Sequence, residues 1–301
     1  MENPNKSKKS KLNPQYVTGF SDGEACFHLA IGKNPKYKIG YYVNPGFSIA
    51  LHKKDEDLLR NIQNFFGGIG NLKVKSNIVQ YRIFSLKDLD IILNHFDNYP
   101  LITKKHVDYL IFKETINLIK NKEHLTIEGF NKIIALRSSM NLGLPENLKE
   151  AFPDIQPRKI ISKDLPSLLN PYWVAGFTEA EGCFWIKTLK DSNKEEVRSI
   201  IGFQITQHKR DLPLLEKLIS FFECGRLEQS GSAFNLVVTK LSFINDNIIP
   251  FFNTYPILGS KSKDFKDWCR AVELKNNKAH LTSNGFKEIL EIKSNINSSR
   301  N

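Results

Sequence analysis

The stretch NKEHLTIEGF, Asn121–Phe130, is written a second time as NKAHLTSNGF, Asn277–Phe286. The second copy lies 156 residues after the first, and the same shift carries Tyr99-Pro100 onto Tyr255-Pro256, Asp108 onto Asp264, Phe47 onto Phe203, His52 onto His208 and Asp55 onto Asp211. Toward the start of the chain, GFSDGEACF (Gly19–Phe27) matches GFTEAEGCF (Gly176–Phe184) with a shift of 157, so an intervening loop differs by one residue and is the shorter in the second copy. So many identities in one collinear order identify a duplicated domain. The repeat is far longer than the roughly 20–45 residues of a solenoid unit.

Each copy is long enough to bury its own core, since the chain has 301 residues and a domain usually takes roughly 100–200. Hydrophobic residues at 41% beside 25% charged ones make the composition of an ordered globular protein. Lys plus Arg number 43 against 32 Asp plus Glu, a net charge of +11 that makes a polyanion the expected partner class, nucleic acid or an acidic membrane surface. No run approaches the ~18 apolar residues of a membrane span. Met1–Lys11 also lacks the apolar core of a signal peptide, so neither an integral membrane protein nor a secreted one is expected. Cys26, Cys183, Cys224 and Cys269 form no C-x-x-C pair and no histidine sits in H-E-x-x-H, which leaves structural zinc, a redox pair and a zinc hydrolase without support.

The copies read in the same order. Helices are expected over Leu12–Glu24 and Leu169–Glu181, each opened by an Asn-Pro pair whose Pro14 or Pro171 suits a first helical turn. Alternation places Phe27, Leu29 and Ile31 on one face of a strand and Cys26, His28 and Ala30 on the other, and Cys183–Lys187 alternates in the same phase. Second strands are expected at Pro45–His52 and Ser199–His208, followed by helices at Glu56–Phe66 and Leu212–Phe222 capped by Asp55 and Asp211. Strand pairs follow at Gly70–Lys75 with Ile78–Phe84 and at Gly225–Gln229 with Phe234–Thr239, and helices close each copy. The expected fold class is α+β: tandem αββαββα domains with antiparallel sheets, helices on one face and the other face open. The expected organisation is a basic arm at 1–11, a first domain at 12–149, a proline-punctuated connector at 150–168 and a second domain at 169–301. Two copies in one chain form a pseudo-two-fold pair, suited to a partner that is itself nearly two-fold, such as duplex DNA.

Gly19 and Gly23 are four apart, as are Gly176 and Ala180, so each first helix has a stripe free of bulky side chains. If the stripes meet, the helix ends converge and bring Glu24 near Glu181. A glutamate at a helix end is by itself an ordinary solvated charge, but here it recurs at the same place in both copies. Two neighbouring carboxylates repel unless a divalent ion lies with them, and hard oxygen ligands select Mg²⁺. Such an ion can activate water and neutralise a leaving phosphate oxygen, the design used for phosphodiester hydrolysis.

With these residues in view, VTGFSDGEA (Val17–Ala25) and VAGFTEAEG (Val174–Gly182) resemble the two signature helices of a single-chain LAGLIDADG homing endonuclease. The likeness runs from Leu12 to about Asn295 and extends to the intron-encoded mitochondrial members from fungi. It implies saddle-shaped sheets that bind a long asymmetric double-stranded DNA site, and cleavage of both strands across the minor groove to leave 3′ overhangs. It implies that Glu24 and Glu181 bind divalent metal together with the carbonyls of Gly23 and Ala180, with Mg²⁺ the working ion and Ca²⁺ or Mn²⁺ able to replace it for binding. It also implies supporting roles near water and phosphate for a polar residue on the second strand, Ser48 and Gln204, and for a lysine after the fourth, Lys105 and Lys261. Ser48 is short for that role, so unequal cutting of the two strands is expected. A monomer in the mitochondrion is implied, with no membrane partner. Some relatives bind intron RNA as maturases, and an inactive DNA-binding regulator is a further alternative that the paired carboxylates disfavour.

Alternation also predicts which side chains face outward toward DNA. In the first copy these are His28, Asn34, Asn44, Ser48, Lys73, Lys75, Gln80 and Arg82; in the second, Trp185, Lys187, Arg198, Gln204, Thr206, Arg226, Glu228 and Asn235. Side chains of this kind reach base edges in the major groove, and a one-residue register slip would exchange the two faces. The recurring His52 and His208 are read as structural hydrogen-bonding groups, and Thr126 and Thr282 as helix caps beside His124 and His280. Cys26 and Cys183 are read as small packed side chains, and Lys6–Lys11 as a basic arm attracted to phosphate.

Overall fold

The computed structural model describes residues 12–161, 164–190 and 197–297; the basic arm expected at Lys6–Lys11 lies outside the described residues. The chain forms two compact units. Among the described residues, 12–14 and 24–165 make the first, and 15–23 join those from 166 to 297 in the second. Helix α1 (Pro14–Glu24) therefore packs mostly within the second unit although in sequence it precedes the first unit's sheet. No helix among the described residues is long and apolar enough to cross a membrane.

The first unit is built on strands β1 (Ala25–Lys33), β2 (Tyr41–His52), β3 (Asn71–Lys75) and β4 (Ile78–Ile83), in the antiparallel order β1-β2-β4-β3. Helices α2 (Glu56–Phe65), α3 (Leu86–Asn98), α4 (Lys105–Lys120), α5 (Ile127–Ser138) and α6 (Glu146–Ala151) complete it. The predicted phase is the observed one: Phe27 and Phe47 face each other in register, and the Phe27 ring lies 5.5 Å from Phe96 and 5.3 Å from Phe112. Burying each such ring is worth roughly 1.5–3 kcal/mol, which sets the sheet's inner face. β2 starts at Tyr41, ahead of the expected Pro45. Pro45 is tolerated because β2 there pairs with β1 alone; its ladder with β4 begins at Phe47. The first residues of the expected connector are folded, with Phe152 and Ile155 packed on Phe130, Ile134, Leu144 and Leu148.

The second unit repeats the plan with α7 (Pro171–Glu181), β5 (Gly182–Lys190), β6 (Val197–His208), α8 (Leu212–Phe222), β7 (Arg226–Ser230) and β8 (Ala233–Val238). Its sheet order is β5-β6-β8-β7. Helices α9 (Leu241–Phe243), α10 (Ile249–Thr254), α11 (Lys261–Asn276) and α12 (Ser283–Asn295) follow. A π turn, Ile244–Ile248, precedes α10, where Pro250 removes a donor that a continuous helix would need. Phe184 and Phe203 stack at 5.3 Å, and Trp268 beneath them donates to the Gly202 carbonyl at 3.1 Å.

The caps depart from expectation in one respect. Asp55 and Asp211 make no side-chain cap bond, because a 3-10 turn, Lys53–Asp55 or Lys209–Asp211, intervenes and leaves them outside the extended conformation that a cap requires. His52 and His208 cap those turns instead, each Nδ1 accepting at 3.3 Å from the amide of Lys54 or Arg210. Thr126 and Thr282 cap as expected, accepting from Gly129 at 3.0 Å and Gly285 at 3.1 Å. All four cysteines are free thiols, and Cys26 is exposed, not packed as expected.

Candidate functional site

Within the second unit, α1 and α7 approach through their glycines. A Cβ built on Gly19 would lie 2.0 Å from the Trp173 carbonyl oxygen, and one on Gly176 would lie 2.1 Å from that of Tyr16. Polar contacts repeat this reciprocity. Tyr16 donates its hydroxyl to Glu179 at 3.0 Å, and Trp173 donates its indole N–H to Asp22 at 2.8 Å. Asp22 and Glu179 are buried, and Glu179 also accepts the amides of Leu258 and Gly259, each at 2.8 Å. Burial pushes the Glu179 carboxyl above its ordinary pKa, against the pull of the Gly259 amide, Lys261, the Leu258 amide and Tyr16. Sequence reasoning assigned these two acids no role. The available signal was their recurrence two residues before Glu24 and Glu181, each with an aromatic donor six residues earlier.

The pairing determines what surrounds the end of α7. A Cβ at Gly23 would come 2.3 Å from the Ala180 Cβ and 3.3 Å from Glu181 Oε1, so only glycine leaves that carboxylate its present room. Lys261, the first residue of α11, donates its ammonium to the carbonyls of Glu179 at 2.6 Å, Thr178 at 3.1 Å and Ala180 at 3.5 Å. Those are carbonyls of the last turn of α7, where a cation is favoured, and that of Thr178 also accepts the Gly182 amide. Glu24 ends α1 as Glu181 ends α7, and Lys105 opens α4 as Lys261 opens α11. The Lys105 amide donates to the Thr103 hydroxyl at 3.1 Å.

Among the described residues no three His, Cys, Asp or Glu side chains gather as a closed metal cage. The end of α7 carries instead the Glu181 carboxylate and the Ala180 carbonyl, which the Lys261 ammonium, seated on Glu179 and Thr178, approaches only to 3.5 Å. That open set of hard oxygens fits a divalent ion that keeps water and phosphate oxygens in its remaining positions.

The strand registers assign the open faces. In the first unit, Cys26, Ser48, Arg82 and Asn71 form one cross-strand row, and Ala50, Gln80 and Lys73 the next. Lys75 lies in the row of Ile78 and His52, Asn44 faces Ala30, and His28 faces Gly46. In the second unit, Cys183, Gln204, Val237 and Arg226 form a row, followed by Thr206, Asn235 and Glu228. Trp185 faces Gly202, Lys187 faces Ile200, and Arg198 faces Leu189. All of the expected outward residues share these faces except Asn34. It follows β1 in a turn, where its side-chain oxygen accepts the Lys36 amide at 3.1 Å, so the alternation does not extend to it.

The two faces are furnished differently. The rings of His28 and Trp185 cover the bare glycines, a Cβ at Gly46 or Gly202 falling 2.2 Å from either ring. Burial and then the charge of Arg82 hold the His28 imidazole below its ordinary pKa. Gln204 donates its amide to the Thr206 hydroxyl at 3.2 Å, which donates to Asn235 Oδ1 at 2.6 Å. Ser48 has Ala50 at the place of Thr206, so no such relay orients it. Arg82 has buried Val237 as its counterpart; the second unit's guanidinium comes from Arg226 on the edge strand, paired there with Glu228.

The same architecture is found in known proteins. The profile described as LAGLIDADG endonuclease matches residues 17–116 and 174–272. "Probable intron-encoded endonuclease 3" of Neurospora crassa is 38% identical over 93% of this chain, and "Probable intron-encoded endonuclease 2" of the same fungus is 40% identical over 95%. This chain spans 53% and 65% of the length of those two curated relatives. Among solved structures, the I-SmaMI LAGLIDADG homing endonuclease bound to cleaved DNA is 44% identical, with a TM-score of 0.92 over 97% of this chain and 99% of that one. I-SmaMI bound to an uncleaved DNA target in the presence of calcium ions aligns with a TM-score of 0.90 and covers 95% of this chain and 99% of that one. The duplicated signature helices, the two four-stranded sheets and these matches lead to one assignment: the chain belongs to the LAGLIDADG endonuclease family.

Proposed function

We propose that this chain is a site-specific homing endonuclease that binds a long double-stranded DNA target on its two open sheet faces and hydrolyses one phosphodiester on each strand. The observation that carries the reading is the grouping at the end of α7. Glu181, the Ala180 carbonyl and the Lys261 ammonium stand beside the first row of an open face, where Gln204 pairs with Cys183 two residues after Glu181. The first copy repeats the order with Glu24 ending α1, Ser48 pairing with Cys26, and Lys105 opening α4.

Each half-site then has the same division of labour. Glu24 and Glu181, with the carbonyls of Gly23 and Ala180, hold a divalent ion, Mg²⁺ in the working enzyme; the calcium in the I-SmaMI structure is a precedent for such an ion in the family. When bound, that ion lowers the pKa of water and offsets charge on the leaving oxygen. Lys105 and Lys261 supply fixed positive charge at the scissile phosphate, and Ser48 and Gln204 orient the water by hydrogen bonding. Lys73, Lys75, Arg82, Lys187, Arg198 and Arg226 grip phosphate or guanine, while Gln80, Asn44, Thr206 and Asn235 read polar base edges. Cutting proceeds across the minor groove and leaves 3′ overhangs, and the enzyme acts in the mitochondrion, a reading supported by the kinship with intron-encoded fungal proteins.

The test is incubation of the purified chain with supercoiled plasmid carrying the intron-insertion junction and Mg²⁺, beside Glu24→Gln and Glu181→Gln. Linear product from the parent chain alone is expected. Cleavage that survives both substitutions would remove the carboxylates from the mechanism, and binding to intron RNA without any cleavage would replace the reading with a maturase.

A further inference from the structure

The two copies treat one place in the fold differently. Where β1 and β2 of the first unit turn, Phe130, Ile134, Leu144 and Leu148 are buried in a cluster completed by Tyr41, Val43 and Phe152. Among the described residues, the matching place in the second unit is a cleft of about 570 Å³ lined by Arg198, Ser199, Lys275, His280, Ser283 and Phe286 among others. Leu290, the counterpart of fully buried Ile134, is 40% exposed.

The lining changes in charge as well as in cover. With the shift of 156, Lys275 stands where the first copy has Ile119, and Arg198 where it has Tyr42. Glu123 and Glu128, which pair with Lys132 in the first copy, become Ala279 and Asn284. A cation gained at Lys275 and two carboxylates lost raise the potential around the start of α12, a helix of 13 residues with no acid in its first turn, and Glu288, which replaces Lys132, is neutralised by Arg270, which replaces Glu114. Ser199 is only 6% exposed, and its Oγ lines the cleft without a hydrogen-bond partner among the described residues. The Lys275 ammonium donates to the Ser199 carbonyl, which keeps it at the cleft wall. Buried polar groups are ordinarily satisfied, so this hydroxyl, beside the Lys275 ammonium, points to an absent hydrogen-bonding partner.

We propose that this cleft is an anion site for a phosphoryl group, held by Lys275, the Ser199 hydroxyl and the first turn of α12, with Phe286 and Leu281 against whatever the phosphate carries. It lies wholly in the second unit and does not depend on the cleavage chemistry. The phosphate is either that of a small ester or part of a nucleic-acid backbone, and the two sources share this recognition.

The test uses the full chain and thermal melting in inorganic phosphate against chloride at matched ionic strength. A saturable rise in melting temperature is expected for the parent protein. Asn284→Glu restores the acid of the first copy at a position that suits the helix dipole, so it folds, which its melting in chloride checks; Lys275→Ile restores the first copy's isoleucine. In both, the phosphate midpoint is expected to rise at least about fivefold. General salt stabilisation would persist in the variants, so an equal response in parent and Asn284→Glu overturns the site, as does no response in the parent. Displacement of phosphate by a 5′-mononucleotide assigns a small ester, and displacement by an oligonucleotide, lost in Lys275→Ile, assigns a nucleic-acid backbone; either supports the site. Loss of cleavage in the plasmid assay with the phosphate response intact would refute the endonuclease reading alone.

Discussion

Gly176→Ala sets two physical effects against each other, and the sign of the outcome decides which governs. In a helix interior alanine is favoured over glycine by roughly 0.5–1 kcal/mol, so local propensity makes the substitution stabilising. The tertiary structure demands the reverse. The added methyl would sit 2.1 Å from the Tyr16 carbonyl oxygen and 2.9 Å from the Phe20 nitrogen, where ordinary contact begins at 3.4 Å, so α1 and α7 must part by roughly 1.3 Å. That movement stretches the 3.0 Å Tyr16–Glu179 and 2.8 Å Trp173–Asp22 bonds beyond hydrogen-bonding range. Overpacking costs roughly 1–3 kcal/mol and each hydrogen bond to a buried carboxylate roughly 1.5–3 kcal/mol, so a net loss of at least about 3 kcal/mol is expected. Trp173, Trp185 and Trp268, the chain's 3 tryptophans, all lie in the second unit, so urea unfolding followed by tryptophan fluorescence reports on the affected region. Gly67→Ala is the comparison: it has a φ of +82° with open space around it, and only the left-handed backbone cost of roughly 1–2 kcal/mol applies. Unchanged or increased stability in Gly176→Ala would refute the close approach of the two helices.

Three further outcomes follow from the site. Ser48→Gln is expected to speed cutting of the slower strand and Gln204→Ser to slow the other, read as nicked and linear forms of supercoiled target; simultaneous appearance of both cuts in the parent would count against the asymmetry. Tyr16→Phe is expected to destabilise the fold more at about pH 8 than at about pH 5. The folded pKa of Glu179 lies above its unfolded one, so stability is fullest below the unfolded value and declines as pH rises toward the folded value. Loss of the tyrosine donor raises that folded value further, and a gap in urea midpoint that is independent of pH would refute the assignment. Lys73→Ala with Lys75→Ala is expected to weaken target binding across all sequences and to make the log–log salt dependence shallower by up to about 0.9 per lysine that contacts phosphate; an unchanged slope would place both lysines off the DNA.

The sequence by itself determined what depends on periodicity and recurrence. Two copies of one domain were legible because His124 and His280, Thr126 and Thr282, and Glu24 and Glu181 recur in order. The open faces were legible because a pleated strand alternates with period two, so burying Phe27 and Phe47 sends His28 and Ser48 outward. Where one strand ends and a turn begins is a matter of backbone hydrogen bonds, and Asn34 and the Asp55 and Asp211 caps departed from expectation there. Only the tertiary structure decided what side chains distant in sequence do to one another. It placed α1 in the second unit, made Asp22 and Glu179 reciprocal buried acceptors, set Lys261 on the carbonyls at the end of α7, packed Leu144 and Leu148 on Phe130 and Ile134 in the first unit, and left a cleft beside Lys275 among the described residues of the second. Periodicity is a property of neighbouring residues and can be read along the chain. Satisfaction of a buried carboxylate or filling of a cavity depends on groups more than a hundred residues apart, and packing alone brings those together.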